Sequence, residues 1–349
     1  MKDIKGKILS IAILRCLATA LITNTHFNNV WPSESLAVGG LLGDVLFFMI
    51  SGYCLINSKS SNFFSWYLKR ILRIYPAILL MTCFNLVVGY FTMEGKSLFS
   101  ALIYPTFYDF VGAIMLLYIP FYFYRKLISL KTSGEGISKE VTARCDSFLN
   151  NKSLIGFIAV FVIYMVAYLL IVDKSEYRMN AVTHPITLFL YFTAMVAGAA
   201  LKRIDFLNKR NNKWLWVLAC VISSIGYALL ITYVRSHEWT FEYQIVVNIV
   251  LIIAAVLVFK AVFLFEEDFK RILYPNGDTD TWQSKCIWKL SELTLDIYVV
   301  QHVIINYLQD IVFPLNLMLI VPAIIVAALL VNYLTGKFRD AVNRVLRIN

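Results

Sequence analysis

The chain carries little charge for its length. Only 15% of its 349 residues are Asp, Glu, Lys or Arg, whereas a soluble domain carries about 25%. A soluble enzyme of this size needs charge to solvate its surface, so this class is excluded. The hydrophobic fraction is 59% and the mean hydropathy is +0.69. These values predict an all-α polytopic membrane protein, a bundle of transmembrane helices.

Several chemical motifs are also missing. The six cysteines show no CxxC spacing, and most lie in apolar runs where Cys behaves as a small hydrophobic residue. We therefore expect no disulfides and no metal site. The sequence contains no phosphate-binding P-loop, no HExxH and no GxSxG. The sequence therefore carries none of the motifs that are typical of P-loop nucleotide-binding proteins, zinc proteases and serine hydrolases.

Long apolar runs dominate what remains. About ten have the length of a helix that spans a bilayer. They cover residues 8–26, 36–56, 77–93, 98–124, 154–172, 184–201, 214–234, 242–265, 288–311 and 315–335. The sequence thus predicts one membrane domain over residues 1–349, with a polar cytoplasmic loop at about 129–153 and no appended soluble domain.

The distribution of Lys and Arg predicts the orientation. With a cytoplasmic N-terminus, the inside segments hold about 27 of these residues and the outside loops about 4, which matches the positive-inside rule. Both termini are therefore predicted to be cytoplasmic. The same distribution accounts for the net charge of +10 without a nucleic-acid partner.

Ionisable residues within the spans are few, and each is a candidate functional residue because charge at bilayer depth is costly. Arg15 and His26 lie in the first span, 11 residues apart. This separation places them on one helix face, about 16 Å apart along the axis. Arg15 lies in the inner half of the span and His26 at its outer end. The alternative to a functional role is that Arg15 is a structural ion-pair partner and that His26 is an interfacial histidine without a function.

Span two begins with glycines and contains Asp44. Gly39 and Gly43 are spaced so that another helix can approach closely. Asp44 lies at a depth that the long side chain of Arg15 can reach, so the sequence predicts an Arg15–Asp44 pair. The pair is as consistent with a structural role as with a catalytic one.

Aromatic and basic residues cluster after span two, over residues 62–76. The pattern predicts an amphipathic segment at the cytoplasmic interface. Arg70 and Arg73 are three residues apart and point the same way on a helix. Their guanidinium groups suit phosphate, although anchoring to anionic lipid headgroups is an alternative.

The ninth span is unusually polar at its start. Glu292 and Asp296 are spaced to share a helix face near the cytoplasmic end. Helix capping by Ser291 and Glu292 explains part of this pattern. It does not explain His302, which must face protein or water.

Together these motifs resemble the acyltransferase 3 family of integral membrane acyltransferases, which includes bacterial surface-polysaccharide O-acetyltransferases. The resemblance is carried, in the family's order, by R-x10-H (Arg15 to His26), by FFMISGY at 47–53, by RILRIYP at 70–76, and by Ile-Tyr before a late histidine (297–302). The sequence departs from the family pattern between spans three and five, where Phe107-Tyr108-Asp109-Phe110 stands in place of the Trp- or His-bearing signature of many members. It also departs at two candidate site positions. Asp44 follows Gly43 directly, where the family often has its acidic residue one position later, and Gln301 occupies the usual place of the late histidine.

The resemblance implies an O-acyltransferase, and in particular an O-acetyltransferase. Acetyl-CoA would be the donor, and a hydroxyl of a glycan or lipid-linked saccharide the acceptor. The protein would be a multi-pass protein of the inner (plasma) membrane. Arg70 and Arg73 would bind the nucleotide phosphates of the donor.

His26 would be the general base for the acceptor hydroxyl, since an unperturbed imidazole has a pKa of about 6.5. Arg15 would position the donor or stabilise the oxyanion, and Asp44 would hold Arg15 or line the same cavity. Tyr298 and His302 are further candidates for contact with substrate. The acyl group would cross the membrane either as a threaded thioester or through an intermediate site.

Two other functions fit the same layout. A secondary transporter or glycolipid flippase also has many spans and an intramembrane charge pair. A structural scaffold for glycan assembly would neither transfer nor move a substrate. R-x10-H and the paired arginines favour the enzyme.

Overall fold

The computed structural model describes residues 8–58, 62–93, 95, 97, 107–128, 139–171, 184–204, 206–207, 212–239, 241–275 and 281–346. These ranges contain twelve α-helices and no strand, which confirms the all-α prediction. The helices are α1 (Leu9–Thr25), α2 (Gly40–Leu55), α3 (Phe63–Val87), α4 (Asp109–Ile128), α5 (Lys139–Ile171), α6 (Pro185–Arg203), α7 (Lys213–Ser236), α8 (Phe241–Leu264), α9 (Glu266–Leu273), α10 (Trp282–Glu292), α11 (Thr294–Leu308) and α12 (Leu315–Leu346).

Eight of the described helices, α2 to α8 and α12, are long and apolar enough to cross a membrane. α1 is also apolar but has only 17 residues. The chain is therefore a multi-pass helical membrane protein. The number of ten spans and the cytoplasmic location of the termini stay predictions.

The helices divide into an interior group and a peripheral group. Of the apolar segments of α2 and α6, 61% and 72% are buried, whereas only 11% is buried in α5 and in α7. The exposed side chains of α5 and α7 are mostly Leu, Ile and Val. An apolar exposed surface of this kind suits contact with lipid.

Glycines allow the central helices to pack closely. In α2, Gly52 lies directly against the backbone carbonyl of Met195 in α6, and Gly198 of α6 lies against that of Met49 in α2. A Cβ atom at either glycine would overlap the opposing carbonyl. The two backbones therefore touch, as in small-residue crossings of membrane helices.

The close approach predicted at the start of span two is confirmed. A Cβ atom at Gly43 would lie 2.7 Å from the Ala18 carbonyl oxygen and 2.8 Å from Ile22 Cγ1, both in α1. Gly39 has a positive φ of 105°, which a residue with a Cβ atom rarely adopts. The glycines thus fix the position of α1 on α2.

The third predicted span is wrong at its beginning. We predicted an amphipathic segment at 62–76 and a separate span from residue 77, whereas α3 is one helix from Phe63 to Val87 with Pro76 inside it. The side chain of Asn62 caps the helix by accepting a hydrogen bond from the N–H of Phe64 at 2.9 Å. Pro76 removes one backbone donor, but a packed membrane helix tolerates this loss.

The ninth predicted span is also wrong, because the region forms two helices. The break lies at Leu293, whose ψ is 0° and whose N–H donates to the carbonyls of both Lys289 and Leu290. Ser291 and Glu292 consequently end α10 instead of capping the following helix. The range 288–311 contains neither Gly nor Pro, so the sequence has no ordinary signal for the break.

The predicted loop at about 129–153 is only partly testable. Residues 129–138 lie outside the described residues, and α5 begins at Lys139. The second half of the predicted loop is therefore helical and continues into the fifth apolar segment.

Candidate active site

A cavity of about 630 Å³, called the main cavity below, lies among α1, α2, α3, α4, α10, α11 and α12. Its charged lining residues are four cations, Arg15, Lys69, Arg70 and Arg73, and two acids, Glu292 and Asp296. Positive charge thus prevails in its wall. Such a wall attracts an anionic ligand, and the volume is in the range of small-molecule sites.

The face of α1 that carries the R-x10-H spacing is turned inward. Arg15, Thr19 and Ile22 all line the main cavity. They follow the helical spacing of three to four residues, and His26 continues the series one turn beyond Ile22. His26 therefore lies just past the end of the α1 wall.

His26 and His302 meet at this end. Their ring centroids are 4.1 Å apart at an interplanar angle of 60°, so α1 and α11 bring together two imidazoles that are 276 residues apart in the chain. The Tyr298 ring lines the main cavity and stands 6.5 Å from the His302 ring. Within the described part of the chain, no group of three or more His, Cys, Asp or Glu is arranged to hold a metal ion.

The predicted Arg15–Asp44 pair is wrong. Asp44 accepts a hydrogen bond from the Tyr191 hydroxyl at 2.9 Å and is not among the residues that line the main cavity. Tyr191 is fully buried and belongs to α6. Asp44 thus ties α2 to α6, because the close α2–α6 crossing at Gly52 and Gly198 brings the Tyr191 hydroxyl within hydrogen-bond distance of the carboxylate.

The two arginines of RxxR differ in their surroundings. Arg73 is exposed and lines the main cavity. Arg70 also borders the cavity, but its guanidinium donates to the Trp66 carbonyl at 2.9 Å and to Ser58 Oγ at 3.3 Å. Its Cζ atom lies 4.4 Å from the centre of the Trp66 ring.

Sequence reasoning missed a second arginine that contacts Trp66 and Ser58. Arg125 of α4 is buried, donates to the carbonyl of Ser58 and lies 5.5 Å from the Trp66 ring. Trp66 therefore packs against two guanidinium groups. Arg125 directly follows the apolar run 98–124, where the positive-inside rule already accounts for a cation, and nothing in the sequence distinguishes a buried arginine from a topological one.

A second cavity of about 400 Å³, called the side cavity below, adjoins the main one. Four residues line both: Arg15, Cys54, Arg73 and Glu292. The side cavity adds Lys202 of α6, whose Nζ donates to the Tyr53 hydroxyl at 3.3 Å. The sequence gives no sign of this contact, because Lys202 directly follows the apolar run 184–201, where the positive-inside rule already accounts for a cation.

A buried glutamine completes the wall near the histidines. Gln301 has no exposed surface and lines the main cavity. Thr23 Oγ1 donates a hydrogen bond to Gln301 Oε1 at 2.7 Å, one turn before His26 on α1. A sequence signal existed here, because Gln301 stands where the resembled family commonly has histidine.

The arrangement therefore combines a cation-lined cavity with a pair of imidazoles at one end, on helices that the sequence motifs mark. No curated protein and no solved structure matches the chain. The model of the acyltransferase domain family, acyltransferase 3, matches residues 8–337. This match covers nearly the whole chain, so the protein belongs to that family and is a membrane acyltransferase.

Proposed function

We propose that the protein transfers an acetyl group from acetyl-CoA to a hydroxyl of a surface or exported glycan. The carrying observation is the inward face of α1. It places Arg15 in the wall of a cation-lined cavity and His26 against His302 at the end of that wall. One face thus offers positive charge to a donor and an imidazole to an acceptor.

The charge of the cavities supports a polyanionic donor. Coenzyme A carries several phosphate charges and is long and flexible. Arg15 and Arg73 line both cavities and Lys202 lines the side cavity, so one extended ligand can contact all three. Arg73 is the exposed member of RxxR and is our choice for the principal phosphate ligand, with Arg70 as its structural support.

The imidazole pair supports the chemistry at the other end. A histidine base takes the proton of the acceptor hydroxyl as its oxygen attacks the thioester carbonyl. His26 is this base, and His302 positions it through the ring contact. Arg15 lies about 16 Å from His26 along α1, so its role is to hold the donor arm in the main cavity.

The predicted orientation is consistent with this division. With both termini in the cytoplasm, the arginine side of the cavities faces the compartment that contains acetyl-CoA. His26 faces the outside of the plasma membrane, where a lipid-linked saccharide or finished glycan is present. The acyl group then travels along the α1 face, as a threaded thioester or through an intermediate site.

The test uses membranes that contain the protein, acetyl-CoA labelled with ¹⁴C in the acetyl group, and surface glycan extracted from the source cells. We expect ester-linked label on the glycan, released by mild base. His26→Ala should abolish incorporation, whereas His237→Ala, an exposed histidine outside both cavities, should retain it.

Two results would contradict the proposal. Full incorporation of label by His26→Ala would show that His26 is not the general base. Absence of label on the glycan, together with movement of unmodified lipid-linked saccharide across proteoliposomes, would instead support the flippase.

A further inference from the structure

The side-chain amide of Gln301 is the unexplained polar group in the wall of the main cavity. The residue is fully buried, and its Nε2 has no hydrogen-bond partner among the described residues. A buried donor without a partner is unfavourable. A ligand with an acceptor atom would remove this penalty.

The orientation of the amide is set by α1. Thr23 Oγ1 donates to Oε1 at 2.7 Å, so the acceptor end of Gln301 is occupied. The –NH₂ end is the part that remains for another group. Thr23 thus holds a hydrogen-bond donor in place in the wall of the cavity.

The position of the amide relates it to the candidate base. Gln301 precedes His302 in α11, and Thr23 lies one turn before His26 in α1. The Thr23–Gln301 hydrogen bond therefore joins α1 and α11 directly below the His26–His302 contact. The amide is at the histidine end of the main cavity.

Arg15 cannot serve that end. Eleven residues of helix separate Arg15 from His26, about 16 Å along the axis. A base and an oxyanion donor must both lie within about 3 Å of the reacting groups. A carbonyl attacked beside His26 consequently needs a nearer donor than Arg15.

We propose that Gln301 is a catalytic residue whose Nε2 donates a hydrogen bond to the thioester carbonyl oxygen of the donor. The inference rests on the proposed acetyl transfer. The acceptor oxygen bonds to the carbonyl carbon, its proton passes to His26, and the carbonyl π electrons move to the oxygen that faces Nε2. On collapse the C=O bond re-forms, the C–S bond breaks, and the CoA thiolate takes the proton from His26.

The experiment measures kcat and KM for acetyl-CoA with purified protein in nanodiscs, from ¹⁴C-acetyl transfer to the extracted glycan. Gln301→Leu removes the donor, and Gln301→Glu keeps the size and the acceptor for Thr23 but replaces –NH₂ with oxygen. We expect both to lower kcat by about 10²–10³-fold, with KM changed by less than about threefold, since the interaction forms in the transition state.

The matched control is Gln244→Leu. Gln244 is also a buried glutamine, but its Nε2 donates to the Trp239 carbonyl at 3.1 Å and it lines neither cavity. We expect its kcat to remain within about twofold of the wild type, as for a change outside the site.

The Glu variant separates catalysis from packing. A structural role predicts that Gln301→Glu is milder than Gln301→Leu, because it retains the Thr23 contact. The proposal predicts that it is at least as damaging when kcat is measured at a pH at which the carboxyl group is ionised, because a carboxylate oxygen donates no hydrogen bond and repels the oxyanion. A Gln301→Glu enzyme that retains more than a third of the wild-type kcat overturns the inference. This outcome is decisive even if the Gln301→Leu variant fails to fold.

Thr23 provides an independent check as a positioning residue. Thr23→Val keeps the shape but frees Gln301 to rotate, and we expect kcat to fall about tenfold, an upper-range loss for one hydrogen bond. Thr23→Ser should restore it. Unchanged kcat in Thr23→Val contradicts the proposal.

If the wild type transfers no label, the proposed function fails as well, whereas an active wild type with active Gln301 variants overturns this inference alone.

Discussion

Arg70 and Arg73 should have different mutational effects, although the RxxR motif by itself gives no reason to assign them different roles. Arg73 is exposed and borders both cavities. Arg70 is anchored on Trp66 and Ser58. We therefore expect Arg73→Ala to impair donor binding and Arg70→Ala to impair stability.

The magnitudes follow from the contacts. A charge-assisted hydrogen bond is worth about 1.5–3 kcal/mol, so loss of a phosphate contact in Arg73→Ala should raise KM for acetyl-CoA by roughly 10- to 150-fold. Arg70→Ala loses two hydrogen bonds and a cation–π contact at 4.4 Å. Because the guanidinium is partly exposed, these terms amount to about 2 kcal/mol of unfolding free energy.

The assay is initial-rate acetyl transfer over a range of acetyl-CoA concentrations, with thermal unfolding of the same samples. Arg271→Ala is the control, since Arg271 lies on α9 outside both cavities and its side chain is 83% exposed. Equal increases of KM in Arg70→Ala and Arg73→Ala, with unchanged unfolding, would refute the division of roles.

Further variants test the packing and the side cavity. Gly198→Ala forces a Cβ atom onto a backbone carbonyl and should lower stability by about 1–3 kcal/mol in thermal unfolding, whereas Gly226→Ala has no atom within 4 Å and should be neutral or stabilising by up to about 1 kcal/mol. Lys202→Met should raise KM for acetyl-CoA about two- to fivefold, the worth of an accessible ion pair, and an unchanged KM would remove the side cavity from donor binding. Tyr191→Phe should destabilise the protein by about 1–3 kcal/mol because Asp44 loses its buried donor, while Asp44→Asn keeps an acceptor and should retain transfer; loss of transfer without loss of stability would make Asp44 catalytic.

Sequence patterns predicted the fold class and most helices because each apolar run must satisfy its own backbone within the bilayer. The same logic fails at Leu293, where the predicted span 288–311 continues but the helix breaks. It fails at Pro76 for the opposite reason, since a local helix breaker lies inside a packed helix. Hydropathy reports burial in lipid or protein, and it does not report whether the backbone continues as a helix at Leu293 or at Pro76.

The site was predictable along one helix and not across helices. Arg15 and His26 share a face because helical geometry fixes it, and the cavity lies on that face. The partner of Asp44 could not be predicted in the same way, because Tyr191 is 147 residues distant in the chain. Which side chains meet depends on how closely α2 approaches α6, and backbone contacts at two glycines set that distance.

The glycine-rich motif therefore helps to orient the R-x10-H motif. Gly43 brings the Ala18–Ile22 stretch of α1 into contact with α2, which fixes both the depth and the rotation of α1. With the rotation fixed, the next face of the same helix carries Arg15 and Thr19 into the cavity wall. A bulkier residue at 43 would turn or displace that face, so a motif without any reactive group helps to determine where the reactive groups point.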